Sequence, residues 1–378
     1  MLNSLKVQNF RLLESFQVKK LGQVNLIVGK NNSGKSSVLE ALRIYAGNAN
    51  GELLFKIAEG HDEKYELDEE EHMFDTALPF EDLFTGRQFP ENDNGIIIGE
   101  ADSIEKDLQI NHGFFAEEEI TVTDEKTEEK RTKIKRIVIN SSDFDGIQEE
   151  DVKDILIIKK EHRTSIVDFN RPRFYSRRFS SETNAVPCSF IPTQFISMNE
   201  LAKEWDAIAL TDGEDIVKDA LRIILPEFEN LTFIDGDRRR NRRLAKVKIS
   251  NLSRPVPLNS LGDGMLRVLQ LVLKIFSAKR GILLIDEFEN GLHYSVQEKI
   301  WKLLFELSKD LNIQIFATTH SWDCIESFSK VAIDYKNVEG VLFRMGESVR
   351  KSDKGKVIAT VFDEEQLYNI TQSDVEVR

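Results

Sequence analysis

An α/β fold on a doubly wound, mainly parallel sheet is predicted by three features of the sequence. Residues 24–28 (VNLIV) form an apolar strand that runs into a glycine loop and then a stretch of helical spacing. The last third alternates helix (265–277), strand (282–285), helix (296–311) and strand (313–318), the order a parallel sheet requires. The two strands of that third end in polar residues, Asp286-Glu287 and His320-Ser321, as strands do at the carboxyl edge of such a sheet.

The other elements follow from their own patterns. Val38, Leu39, Leu42 and Tyr45 share one face of a helix after the glycine loop. Val296, Ile300, Leu303, Leu304, Leu307 and Leu311 do the same for the later helix. Residues 95–140 alternate apolar and polar positions between turn-rich breaks, which predicts an antiparallel meander. Residues 196–225 are helical in pattern, and residues 231–249 read as a hairpin with an arginine-rich tip. From Glu59 to Asp82 there are eleven acidic residues against Lys64 alone, a run expected to be solvated or disordered.

Composition narrows the class. The chain has 378 residues, 40% of them hydrophobic, enough for a sizeable core in two or three compact units. Its 51 basic and 65 acidic residues give a net charge of −14, which excludes a protein that coats nucleic acid by bulk charge. Two cysteines, Cys188 and Cys324, exclude a disulfide framework and fit a reducing compartment. No apolar run reaches membrane-spanning length, and the amino terminus lacks the apolar centre of a signal peptide, so a cytoplasmic protein with no membrane contact is expected.

Residues 29–36 (GKNNSGKS) match GxxxxGK[ST] between a strand and a helix, the context that distinguishes a phosphate loop from a chance glycine turn. Gly29, Asn31, Asn32, Ser33, Gly34 and the following Ser37 would cradle phosphates with backbone N–H groups at a helix N-terminus. Lys35 would reach the β and γ phosphates, and the Ser36 hydroxyl would coordinate Mg²⁺. Residues 281–287 (GILLIDE) place two carboxylates beside that loop. Asp286 would join the Mg²⁺ shell, and Glu287 would act as general base towards water. An apolar strand ending in Asp-Glu is unspecific alone and becomes specific beside a phosphate loop. His320, at the end of another buried strand, would touch the γ-phosphate and report its loss, although a lone histidine is more often structural. Ser260, Gly262 and Gly264 open the helix at Met265 and form a second anion-binding surface, which suggests a head-to-tail dimer with shared sites. The plainer alternative is a helix cap made by Ser260 or Asp263.

Taken together, these residues resemble ATP-binding-cassette ATPases of the SMC type, most closely the overcoming-lysogenisation-defect branch and stand-alone bacterial ATPases of anti-phage systems. The resemblance is carried by residues 5–42 (LKVQNFRLLESFQVKKLGQVNLIVGKNNSGKSSVLEAL), by LNSLGDGMLRVLQL where transporters have LSGGQ, and by LLIDEFENGLHYSVQ. It implies a P-loop NTPase of the ABC/SMC-head type, with an antiparallel β subdomain and a helical signature subdomain, that binds ATP with Mg²⁺. By the same resemblance Arg11 would contact nucleotide phosphates, and Gln194 would join Mg²⁺ and water. Ser260, Gly262 and Gly264 would act across the dimer, the loop at Gly291 would lie between the two sites, and His320 would be the switch histidine. Four segments are expected: an amino-terminal ATPase lobe (1–58), an acidic insertion with the antiparallel β subdomain (59–180), a helical and hairpin segment (181–260), and a carboxyl-terminal lobe (261–378). Only 225 positions separate Lys35 from Ser260, too few for long coiled-coil arms, and 58 residues after His320 leave no room for a nuclease domain. Asp235-Gly236-Asp237 has the look of a metal pair but reads as a hairpin turn.

Two basic clusters stand out against the acidic background. One holds Arg238, Arg239, Arg240, Arg242, Arg243, Lys246 and Lys248; in the other Arg171, Arg173, Arg177 and Arg178 surround Phe174 and Tyr175. Such clusters suit phosphate contact and base stacking, or equally a solvated tip or docking patch. Two functions are therefore expected: an ATPase that dimerises and controls a separately encoded nuclease or toxin, or a RecF-like DNA-repair ATPase. A transporter motor is disfavoured by the departure from LSGGQ.

Overall fold

The structure is a computed structural model. It describes residues 1–61, 63, 80–90, 94–103, 105–123, 130–140, 152–168, 185–236, 242–362, 366, 367 and 369, with side chains undescribed at 116–123, 130–136 and 140.

The chain opens with strands β1 (Leu5–Phe10), β2 (Leu13–Val18) and β3 (Val24–Val28), then helices α1 (Lys35–Ala46) and α2 (Gly51–Gly60). Five strands follow: β4 (Ile96–Gly99), β5 (Leu108–Thr123), β6 (Lys130–Asn140), β7 (Val152–Lys160) and β8 (Arg163–Asp168). Next come β9 (Cys188–Ile191), α3 (Met198–Ile208), α4 (Asp212–Ile224), β10 (Phe228–Asp235), β11 (Arg243–Ile249) and β12 (Val256–Pro257). The last part runs α5 (Asp263–Ser277), β13 (Ile282–Ile285), α6 (Tyr294–Asp310), β14 (Gln314–Thr319), α7 (Trp322–Asp334), β15 (Gly340–Glu347) and β16 (Val357–Phe362). No helix among the described residues is long and apolar enough to cross a membrane.

Two compact units result, and neither is contiguous. One comprises Met1–Leu5, Gln17–Leu39 and Val186–Arg378; the other comprises Lys6–Phe16 and Glu40–Ala185.

The first unit is built on a six-stranded sheet in the order β16-β15-β3-β14-β13-β9. All its pairs are parallel except β15 with the edge strand β16. Strands β3, β13 and β14 are buried at every position, so they read as continuous apolar runs rather than alternating ones. Two buried polar side chains pin the sheet. Asn25 bonds the Gly22 N–H and carbonyl and the Ile315 carbonyl, and Gln314 bonds Leu2 and Gly22. The aromatic core centres on Trp301, whose ring stacks on Phe288 at 3.8 Å and meets Phe328 edge-on at 5.1 Å. The predicted hairpin is present as the antiparallel pair β10/β11, extended by β12.

The second unit carries a seven-stranded sheet whose described pairs are antiparallel. It departs from a simple meander. The 16-residue β5 pairs with β7 over residues 108–116 and, along its other edge, with β4 over 108–110 and with β6 over 113–123, so β6 and β7 are both neighbours of β5. Long strands can serve several partners in this way, and sequence alternation carries no information on which partner is chosen. In this unit Lys160 bonds the Tyr45 carbonyl and Asn48 Oδ1, and its ammonium lies 4.0 Å from the centre of the Tyr45 ring.

Burial pushes the Lys160 pKa down to about 8, against a lesser opposing pull from Glu161. The unfolded chain therefore holds more protons at this position above that pH, and stability rises with pH through the window. Between about pH 8 and pH 10, wild type should gain stability relative to Lys160→Met in urea titrations. Parallel pH slopes for the two proteins would show that the lysine is not desolvated.

Candidate functional site

The parallel register brings four loops to one edge of the first unit's sheet. Spatially the strands run β3, β14, β13, β9, and at their carboxyl ends stand the glycine loop, His320, Asp286-Glu287 and Thr193-Gln194. Residues separated by up to 290 positions thus become neighbours by strand order.

The glycine loop is tightly folded. A side chain at Gly29 would put Cβ 2.7 Å from both the Met345 carbonyl oxygen and Ser33 Oγ. Gly34 has φ +89° and Asn32 has φ +62°, the left-handed region that glycine and asparagine tolerate best. The Lys35 ammonium arches over the loop, donating to the carbonyls of Gly29 (2.8 Å) and Lys30 (2.9 Å). Burial lowers the Lys35 pKa, while Asp286, Glu287 and Glu289 act in the opposite sense. Ser33 Oγ is buried with no hydrogen-bond partner. The Ser36 hydroxyl stands exposed in the first turn of α1. A cradle too small for any Cβ, an ammonium across it and an orphaned buried hydroxyl fit a phosphate chain.

Two threonines orient the first carboxylate. Thr318 Oγ1 donates to Asp286 Oδ1 (2.7 Å), and Thr193 Oγ1 donates to Asp286 Oδ2 (3.2 Å). Thr318 Oγ1 also accepts the Glu287 N–H at 2.9 Å, fixing a residue whose φ is +47°. A glutamate in that region is strained by about 1–3 kcal/mol, and such strain collects at functional sites. Asn290 Nδ2 closes the group by donating to the Thr193 carbonyl at 2.6 Å. The Glu287 carboxylate is partly exposed, and His320 Nδ1 lies 3.7 Å from it and 3.2 Å from Glu289 Oε1.

Arg267, on α5, is fully buried against the back of this loop. Its NH2 donates to the carbonyls of Asp286 and Glu287 (both 2.7 Å), and its NH1 donates to Pro192 (2.9 Å). Burial pulls its pKa down to about 10, with Asp286, Glu289 and Glu287 opposing, so it keeps its charge at neutral pH. No sequence motif assigns a role to Arg267, Thr193 or Thr318, and Glu289 and Asn290 stand out only as part of the LLIDEFENGLHYSVQ stretch. A guanidinium inside an otherwise apolar helix face was the available signal, since buried charge is rare without a task.

The remaining candidates fall as follows. Gln194 is exposed one residue beyond the threonine that bonds Asp286. Ser260 is exposed and donates to the Pro257 carbonyl at 2.6 Å; Gly262 has φ +89°, with open space where a Cβ would stand. No side chain caps the N-terminus of α5, so the capping role weighed for Ser260 or Asp263 is not what the structure shows. Instead this turn packs on the loop after Glu287: a Cβ at Gly264 would lie 3.2 Å from the Gly291 carbonyl, and Gly291 has φ +72°. In the second unit, Arg11 is held bidentately by Glu63 (2.7 and 3.1 Å), and its Nε lies 2.8 Å from Glu40 Oε2 as an ion pair. Arg238, Arg239 and Arg240 lie outside the described residues, as do Arg171, Arg173, Arg177 and Arg178. Arg242 is exposed, and Arg243 pairs with Asp206 (3.2 Å) and donates to the Phe233 carbonyl. Asp235 is the last residue of β10, opposite Arg243, and the Gly236 N–H bonds the Arg242 carbonyl; Asp237 lies outside the described residues.

A phosphate loop and a carboxylate strand at one edge of this sheet, with α5 packed behind them, define a P-loop ATPase fold of the SMC-head type. The solved SMC head bound to the C-winged helix domain of ScpA superposes with a TM-score of 0.50, 14% identity and coverage of 97% of this chain and 99% of that one. Residues 24–323 match the family described as "AAA domain, putative AbiEii toxin, Type IV TA system", and the chain belongs to that family. A Helicobacter pylori protein named "ATP/GTP phosphatase" is 25% identical over 345 residues, 88% of each chain. "Uncharacterized protein MJECL10" of Methanocaldococcus jannaschii is 42% identical over 55 residues, 15% of this chain and 25% of that one.

Replacing Arg267 tests the clamp. Arg267→Met keeps the bulk but leaves buried carbonyls without donors, so unfolding free energy should fall by about 1–3 kcal/mol. Arg267→Lys should not restore the loss, because an ammonium cannot reproduce the planar fork. Full recovery by lysine in urea titrations would mean that charge alone matters.

Proposed function

We propose that this ATPase dimerises head to tail around two ATP molecules, and that the dimer controls a separately encoded effector, a nuclease or toxin, in anti-phage defence. The observation that carries the reading is the pairing, in one chain, of a complete phosphate-and-carboxylate edge with an exposed, uncapped glycine turn at the start of α5. One subunit uses one phosphate cradle; the second anion-binding surface serves a partner copy. The family description, which names a toxin of a toxin–antitoxin system, supports a defence setting, and the name of the Helicobacter relative supports nucleotide hydrolysis.

The residues divide the work as follows. Lys35 and the loop N–H groups bind and neutralise the phosphates. The oxygen donors suit a hard divalent cation: Ser36 and Asp286 would hold Mg²⁺, Asp286 through water because both its oxygens already accept a threonine, with Gln194 joining from the next loop. Bound there, Mg²⁺ supplies neutralisation of charge on the phosphate oxygens. Glu287 takes a proton from water as its oxygen attacks the γ-phosphorus, and the bond to the ADP oxygen breaks in line. His320 touches the γ-phosphate, and Ser260, Gly262 and Gly264 close on the nucleotide of the partner copy. The RecF-like reading gains no support from Arg243, which is engaged within the first unit.

Lys35→Ala should weaken ATP binding in equilibrium titrations. Glu287→Gln should bind ATP normally, turn over at least about 100-fold more slowly, and elute as a dimer at saturating ATP. A Glu287→Gln protein that stays monomeric under those conditions would refute the shared site. Turnover should also be indifferent to linear duplex DNA; strong stimulation would move the repair reading to the front.

A further inference from the structure

Glu289 is a carboxylate that the hydrolytic scheme above does not use. Its side chain is 12% exposed, beside a histidine ring that is 53% exposed. One oxygen, Oε1, meets His320 twice: it accepts the backbone N–H at 3.1 Å and lies 3.2 Å from ring Nδ1. The other oxygen, Oε2, is buried with no hydrogen-bond partner among the described residues. A residue kept there for packing would be apolar, because a buried unpartnered carboxylate oxygen is costly. The acid is therefore retained for what Oε1 does.

A carboxylate oxygen accepts and does not donate, so its place 3.2 Å from Nδ1 favours the tautomer that carries the proton on that nitrogen. That leaves Nε2 as the ring nitrogen available to a ligand. The backbone bond restrains the Cα of the same residue, so one oxygen fixes both the position and the rotation of the imidazole. Glu287 Oε1, 3.7 Å from Nδ1, is too far to compete. Glu289 is itself anchored: the Leu292 N–H bonds its carbonyl at 2.8 Å, and the neighbouring Phe288 ring is stacked on Trp301.

We infer that Glu289 is a positioning residue: it commits His320 Nδ1 as a donor and thereby presents Nε2 to the γ-phosphate. The second half of that statement rests on the role proposed above for His320; the first half does not.

The test is the ring itself, read by ¹⁵N-edited NMR of the full-length chain, with the His320 signals assigned from His320→Asn. In wild type, Nδ1 should carry the proton. In Glu289→Ala the ring should shift to the Nε2–H tautomer, and kcat should fall roughly 10- to 100-fold with little change in KM. Glu289→Gln, whose amide oxygen still accepts, should retain the Nδ1–H ring and most of the turnover. Should Glu289→Ala fail to fold, Glu289→Asp, one methylene too short to reach, should show the same tautomer change. His320 nitrogen shifts that do not respond to Ala or Asp, or equal losses in Gln and Ala, would overturn the inference. If the tautomer follows Glu289 while His320→Asn leaves kcat unchanged, the positioning stands and the γ-phosphate role of His320 falls.

Discussion

β14 pairs in parallel with β3 on one side and β13 on the other, and this placement decides where the chemistry occurs. Thr319 lies opposite Val28, and Ala317 lies opposite Ile285, so the residues that leave β14 emerge between the phosphate loop and Asp286. A slip of one residue would turn the Thr318 hydroxyl to the other face and remove it from both Asp286 and the Glu287 N–H. Two side chains oppose such a slip. Gln314 at the start of β14 is bonded to Leu2 and Gly22, and Asn25 on β3 is bonded to the Ile315 carbonyl. Both amides are buried, and in any other register Gln314 would lose its partners and Asn25 its bond to the Ile315 carbonyl. Their contribution is specificity more than stability, because buried polar groups gain little net free energy even when satisfied.

The strained backbone at Glu287 depends on the same frame. Its left-handed φ is held from three directions: by Thr318 through the N–H, by Arg267 through the carbonyl, and by Phe288 buried against Trp301. A strain of about 1–3 kcal/mol is about matched by the burial of one large aromatic side chain, about 1.5–3 kcal/mol, and the two hydrogen bonds tip the balance toward the strained form. The carboxylate can then project toward solvent while its own backbone stays rigid. Arg267 suits this task better than an apolar residue would. It can serve three carbonyls at once, and its charge survives burial.

The fold and the chemistry differ in how much of them the linear sequence carries. The phosphate loop, the Asp-Glu strand end and His320 are local signals: each is a strand, a turn and a polar residue in consecutive positions. The structure brings all three to one edge. Arg267, Thr193, Thr318 and Glu289 have no such local mark, because their meaning lies in which strand ends become neighbours. Thr193 became a partner of Asp286 only through β9 pairing with β13. Arg11 shows how partners distant in sequence stay hidden as well. The resemblance points it at phosphate, yet the structure gives it Glu40 and Glu63, and nothing in the acidic excess of residues 59–82 singled out Glu63. The branching at β5 was equally hidden, since alternation reports which face a residue occupies and not which strand lies beside it.

Helix α5 joins the glycine turn to the catalytic edge. Its first turn packs on Gly291, its middle holds Arg267 against Pro192, Asp286 and Glu287, and Lys274 near its end pairs with Glu200 and Glu204 of α3. Between Arg267 and Lys274 lies Gln270, buried with neither amide atom partnered among the described residues. The seam is therefore strongly fastened at two points, with one unfastened polar group between them. Sliding α5 along its axis would break five charge-assisted hydrogen bonds together, three from Arg267 and two from Lys274, each worth about 1.5–3 kcal/mol. Movement of α5 with α3 and the ends of β9 and β13 as one body would break none of them. A force applied at residues 260–264 thus reaches Glu287 through a continuous helix and a guanidinium, and it reaches Gln194 through Pro192. This gives the exposed turn a continuous route of contacts to Glu287 that a cap made by its own side chains would not provide.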